Sequence, residues 1–124
     1  MILNFKKIDK ECRSLVRILN KIPGIRTIES CCGHGKFRYE IFFVSKTINN
    51  LYAIARCVDI RYGGSSDWRC EVHDTDCYKK PVIFSLNSGD KKGIKTYREA
   101  RILAKSIRKV LKSGIHKKIF DKRL

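Results

Sequence analysis

The sequence predicts an α+β fold: a four-stranded, mainly antiparallel sheet with helices packed on one face. Two observations predict it. Apolar residues recur at spacings of three and four in three separate segments, which is helical periodicity. Between those segments, short runs alternate apolar and polar residues and come in adjacent pairs, as strands of hairpins do. The resulting order is helix, strand, strand, helix, strand, strand, helix. Paired strands separated by helices favour an antiparallel sheet covered on one side. With 124 residues, the chain reads as a single domain over 1–124, large enough to bury its own core.

The elements follow in order. Phe5, Ile8, Cys12, Leu15, Leu19 and Ile22 form one apolar stripe, with Lys6, Lys7, Lys10, Arg13 and Arg17 outside it. Asn4 or Asp9 can cap this helix, and Pro23-Gly24 ends it. Thr27 to Cys32 reads as a strand entering a glycine turn, and Phe37 to Val44 as its hairpin partner. A second helix places Ile48, Leu51, Ala55, Val58 and Tyr62 inward and stops at Gly63-Gly64. Trp68, Cys70 and Val72 alternate with Arg69, Glu71 and His73 in a third strand. Val82 to Leu86 makes a fourth, and Asn87 to Gly93 reads as a turn. The last helix runs from about Thr96 to Ser113, with Gly114 in the stop position.

Composition narrows the class. Hydrophobic residues make up 43% of the chain, so it is not a disordered tail. No apolar run approaches the roughly 18 residues of a membrane span, and Met1 to Lys10 lacks the apolar segment of a secretion signal. A cytoplasmic protein without a membrane partner is expected, and with it free thiols for the six cysteines. The formal charge of +16 attracts polyanions, of which nucleic acid is the commonest in a cell.

The richest chemistry lies in Ser30-Cys31-Cys32-Gly33-His34-Gly35, followed by Lys36 and Arg38. Glycines on both sides of His34 free the backbone, and consecutive amides in such a turn can nest an anion. Ser30, Gly33, His34, Gly35, Lys36 and Arg38 are therefore candidate ligand-binding residues, Arg38 through a bidentate grip on phosphate. Cys31 or Cys32 with His34 is the candidate catalytic set, a thiol beside an imidazole. Strand alternation turns one of the two cysteines inward and the other outward, so at most one does chemistry. Zinc would need four ligands from Cys31, Cys32, His34, Cys70, His73 and Cys77. Their spacing argues against it, because no paired C-x-x-C knuckle exists and Cys70 and His73 face opposite sides of an ideal strand. No metal and no cofactor is implied.

A second candidate is the last helix. Arg98, Arg101, Lys105, Arg108 and Lys112 recur at three and four, a stripe that can follow a phosphate backbone. Tyr62, Trp68 and Arg69 flank a glycine loop; Trp68 reads as a core anchor, and Arg61 and Arg69 as weaker ligand candidates. Walker, Rossmann and zinc-finger patterns are absent.

The stretch from Ile8 to Phe43 carries Leu19-Asn20, Ile22-Pro23, Thr27 and then Ser30-Cys31-Cys32-Gly33. It resembles a set of small bacterial and phage proteins with this same hairpin. More distantly, it is similar to the N-terminal part of the wybutosine-synthesising methyltransferase family, where a helix, an Asn and a Pro precede a Ser-Cys-Ser-Gly-Arg strand end. That family has an α+β fold and modifies a guanosine of transfer RNA with S-adenosylmethionine. The likeness implies a ligand site at Ser30 to Gly35 and an RNA or nucleotide partner. Here Cys32 replaces a serine and His34 the arginine.

Together these readings predict a small binding protein for RNA or a phosphate-bearing small molecule. The alternatives are a small Cys/His enzyme of RNA-modifying kind, and a phage- or plasmid-type accessory protein that sequesters a host ligand or inhibits a host protein.

Overall fold

A computed structural model describes residues 8–58, 67–74 and 82–114. A 3-10 turn, Lys10–Cys12, runs into helix α1, Arg13–Leu19. Strands β1, Ile25–Cys31, and β2, Arg38–Ser45, form the predicted hairpin. A 3-10 turn, Ile48–Leu51, leads into the single-turn helix α2, Tyr52–Ala55. Strand β3, Arg69–Asp74, pairs with β4, Ile83–Lys92, and helix α3 spans Ile94–Ser113. The four strands form one antiparallel sheet in the order β1-β2-β4-β3, which confirms the α+β architecture.

Register explains the two faces. Thr27 is opposite Phe43 and Phe43 opposite Phe84; Ile41 is opposite Leu86, and Leu86 opposite Cys70. Cross-strand partners share a face, so this set, with Tyr39, forms the side that meets the helices. Leu15, Val16, Ile18 and Leu19 of α1 and Ala100, Leu103, Ala104 and Ile107 of α3 close the core over it. The other face carries the row Cys31, Glu40, Asn87, Arg69 and the row Glu29, Phe42, Ser85, Glu71.

Asn20 links α1 to β1. Its amide donates to the Val16 carbonyl and to Thr27 Oγ1, while its Oδ1 accepts from the Thr27 amide. A chain reversal that would leave backbone groups unpaired is thereby satisfied. Trp68 is a core anchor as predicted, 9% exposed, with its ring 5.2 Å from Tyr39.

Four expectations are corrected. The α-helical part of the first helix begins only at Arg13, and Asp9 stands at the start of the preceding turn without capping it; Phe5 lies outside the described residues. The second helix buries Leu51, Ala53, Ile54 and Val58, while Ile48 is 77% exposed and Ala55 is exposed, because a 3-10 turn rotates the residue phase. Tyr62, Gly63 and Gly64 lie outside the described residues, as do Arg61 and Cys77. Val72 is 54% exposed, since its strand is a sheet edge. Finally, Asn87 to Lys92 is strand and not turn: Asn87 and Ser88 are fully buried, and β4 absorbs the extra residues in a bulge between its pairings at Arg38 and Glu40. Asn87 tolerates burial because its amide donates to Glu71 and Ser85, and its Oδ1 accepts from the Gly89 amide.

Helix α3 ends as predicted, with Gly114 in the left-handed conformation at φ 67°. Near its start, Glu99 accepts hydrogen bonds from Trp68 Nε1 and Lys91 Nζ. Burial works against ionising Glu99, but those two donors outweigh it and hold its carboxyl below the ordinary value. A depressed folded value means the stability is fully present above the unfolded carboxylate value of about 4.3. It is lost as pH falls through the folded value. Melting temperatures of the wild type and Glu99→Gln, measured by circular dichroism from neutral to acid pH, should therefore differ near neutrality and converge at the acid end.

Candidate functional site

The Ser30 to Arg38 segment folds around one sulfur. Cys32 leaves β1 just before a 3-10 turn, Gly33–Gly35, and its side chain is only 4% exposed. Gly33 has φ 81°, and a Cβ there would stand 2.9 Å from the Arg38 carbonyl oxygen, so no other residue closes this turn without movement. The Gly33 carbonyl accepts from the amides of Lys36 and Phe37, which locks the loop. Between Gly33 and Gly35, His34 itself adopts φ 50° and ψ 31°.

This backbone hangs the imidazole between a thiol and a carboxylate. Cys32 Sγ lies 3.7 Å from His34 Nδ1, and Asp9 Oδ2 lies 3.8 Å from His34 Nε2. Asp9 reaches the turn across 23 residues of sequence, and the Cys32 amide donates to its Oδ2 at 3.3 Å. From the helix layer, the Tyr97 hydroxyl donates to Cys32 Sγ at 3.8 Å. Burial is the largest influence on Cys32 and pushes its thiol up; Asp9 adds to this, while the His34 amide and Tyr97 hydroxyl favour the thiolate. The phenol of Tyr97 is raised in turn, chiefly by its bond to that sulfur.

The expected anion nest takes a different form. The His34 amide faces the Cys32 sulfur and the Gly35 amide faces the Tyr97 hydroxyl, while the Cys32 amide is held by Asp9 and the Gly33 amide by Cys31 Sγ. The turn cradles an internal sulfur rather than opening its amides outward. Ser30 is half-buried on the helix side, its hydroxyl beside Cys12. Lys36 is exposed. Arg38 is engaged by Glu40 at 2.8 Å and by Glu71 at 3.7 Å, so its guanidinium is already neutralised by carboxylates.

Alternation separates the two cysteines as expected. Cys32 goes inward, and Cys31 goes to the opposite face, opposite Glu40 and half-buried. Cys31 lines an open groove with Phe37, Arg38, Glu40, Asp90 and Lys92. Phe37, at 67% exposure, is the aromatic surface of that groove.

Burial pushes the thiols of Cys12 and Cys70 up to about 12, and that of Cys57 upward as well. Cys70 is buried on β3 and stands apart from the Cys32 cluster. Alkylation with iodoacetamide near pH 8, followed by peptide mass mapping, should therefore modify Cys31 fastest among the five described thiols, and Cys12 and Cys70 slowest. Fast labelling of buried Cys32 would instead reveal an activated nucleophile.

The stripe on α3 is laid out as the periodicity predicts. Arg98, Arg101, Lys105, Arg108 and Lys112 are all exposed, and none forms an ion pair with another described residue. Tyr97 stands one helical turn before Arg101, at the border between the buried face and the stripe. The basic face thus starts beside the Cys32–His34 turn.

Two residues escaped sequence reasoning as site members. Asp9 reads locally as a helix cap, and only the fold brings it to His34. Phe37 reads as a strand residue, although it lies between Lys36 and Arg38 just after the glycines of the turn, a signal of a ligand-facing aromatic. Comparison of the chain with protein-family models, curated proteins and solved structures gives no match.

Proposed function

We propose that the protein binds RNA through the basic face of α3, with the Gly33–Gly35 turn at one end of the interface. The observation that carries this reading is five solvent-exposed cations along one helix face, without carboxylate partners among the described residues. A row of unneutralised cations on a rigid helix matches a phosphate backbone, and its binding energy comes from released counterions. Phe37, exposed beside Lys36, offers a flat surface on which a base can stack. The formal charge of +16 adds long-range attraction. An RNA partner is also what the likeness to the wybutosine-synthesising family implies.

The test is a fluorescence-anisotropy titration with single-stranded RNA over a range of salt concentrations. Five phosphate contacts on a single strand give a log–log slope of about −3.5, or roughly a 100-fold loss of affinity between about 50 and 200 mM salt. A salt-insensitive interaction that disappears in His34→Ala would instead place a small ligand in the turn. The absence of any RNA binding at low salt would end the proposal.

A further inference from the structure

We propose that Asp9, Cys32 and His34 form a binding site for one divalent transition-metal ion of the zinc class, with a fourth position open to water or an anionic ligand. This goes beyond RNA binding and rests on different residues. One ligand atom from each residue, the Cys32 sulfur, a His34 ring nitrogen and an Asp9 carboxylate oxygen, lies within 4.8 Å of the other two. Bonds of about 2.0–2.3 Å in a tetrahedral site place ligand atoms about 3.3–3.5 Å apart. The Cys32–His34 contact at 3.7 Å is nearly there already. His34 is 67% exposed on its side chain, so its ring is free to turn one nitrogen into the remaining space.

The donor set selects the ion. Magnesium and calcium take oxygen ligands, whereas a thiolate, an imidazole and a carboxylate suit a borderline ion such as zinc. Metal binding would displace the Cys32 thiol proton, and a dication compensates the resulting thiolate together with the neighbouring Asp9 carboxylate.

The backbone supplies an independent observation. His34 is the one non-glycine residue with positive φ among those described. Such a conformation persists where surrounding structure enforces it, and it clusters at functional sites. Here the hydrogen bonds that close the turn on the Gly33 carbonyl fix it between two permissive glycines, and its effect is to bring the imidazole over Cys32. Asp9 shows the same diversion: placed at the start of a helical turn, its carboxylate makes no capping bond and accepts instead from the Cys32 amide. The Tyr97 hydroxyl fixes the sulfur from the other side. The expectation from spacing, that no metal binds, weighed Cys70, His73 and Cys77 as partners; the third ligand comes from the N-terminal segment instead.

The experiment is a cobalt titration of the full chain after treatment with a chelator. Cobalt(II) should saturate at one equivalent, with a near-ultraviolet thiolate-to-metal charge-transfer band and intense visible bands of a tetrahedral site, and zinc should displace it. Cys32→Ser should abolish the charge-transfer band. Because Cys32 is a core residue, Asp9→Asn and His34→Ala, both on the accessible side of the site, carry the test without disturbing packing: each should weaken cobalt binding at least about 10-fold with an unchanged thermal melt. Absence of the band in the wild type, full cobalt affinity in both surface variants, or a band lost in Cys31→Ser and kept in Cys32→Ser would each overturn the proposal. Cobalt and RNA affinities are measured separately, so either reading can fail alone.

Discussion

Phe43→Ala is expected to destabilise the fold by about 3–5 kcal/mol, the range for truncating a fully buried phenylalanine. Phe43 is 0% exposed at the middle of β2, with Thr27 opposite it on β1 and Phe84 opposite it on β4. Its ring stacks on that of Phe84, with centroids 5.6 Å apart and planes at 21°. Alanine removes the transfer free energy of the ring and leaves a cavity between two rigid layers, α1 and α3 above and the sheet below. Strand hydrogen bonds fix the backbone on both sides of β2, so the site cannot collapse to fill the space. Against a total of roughly 5–15 kcal/mol for a small domain, this is a large fraction. The melting temperature should fall by roughly 10–20 °C, read by circular dichroism. Val72→Ala, on an exposed edge position of the same sheet face, should cost no more than about 1 kcal/mol. Equal losses at the two positions would show that the core does not lie where the register puts it.

The contrast between α3 and β4 shows what the sequence could and could not reveal. Helix α3 was legible because its signals are local: an apolar stripe from Ala100 to Ile107 and a stop glycine at Gly114. In β4 the run Asn87-Ser88-Gly89-Asp90 is turn chemistry by local rules, yet it stays within the strand as a bulge, with Gly89 at φ 65°. What overrides the local preference is tertiary. Asn87 is fully buried, and its amide finds Glu71 on another strand, a partner that no short window contains. The site divides in the same way. Cys31, Cys32, Gly33, His34 and Gly35 are adjacent in sequence, so their convergence was visible, and strand alternation foretold that the two thiols would part. Which one turned inward depended on register, which a one-residue slip would have reversed. Asp9 was legible only as a cap, since its role in holding His34 needs the N-terminal segment to cross the mouth of the β1–β2 hairpin.

A triple variant of α3, Arg101→Ala, Lys105→Ala and Arg108→Ala, is expected to weaken single-stranded RNA binding roughly 10- to 100-fold at moderate salt. The three positions occupy the middle of the stripe, are exposed, and contact no carboxylate among the described residues, so their removal leaves no charge unpaired. The fold should survive, because the buried face of α3, Ala100, Leu103, Ala104 and Ile107, is untouched and alanine is the strongest helix former. The diagnostic quantity is the salt dependence. Each lost phosphate contact on a single strand removes about 0.7 from the log–log slope, so the triple variant should drop by about 2 relative to the wild type. A variant that loses affinity but keeps its slope would have lost shape rather than counterion release, and the stripe would not be the phosphate-contacting surface. Unchanged affinity and slope would move the interface to the groove of Phe37 and Lys92. Phe37→Ala decides that case: loss of a stacked base costs about 1–3 kcal/mol with little change in slope, because the ring carries no charge. Running both variants in the same titration therefore separates the electrostatic surface from the stacking surface.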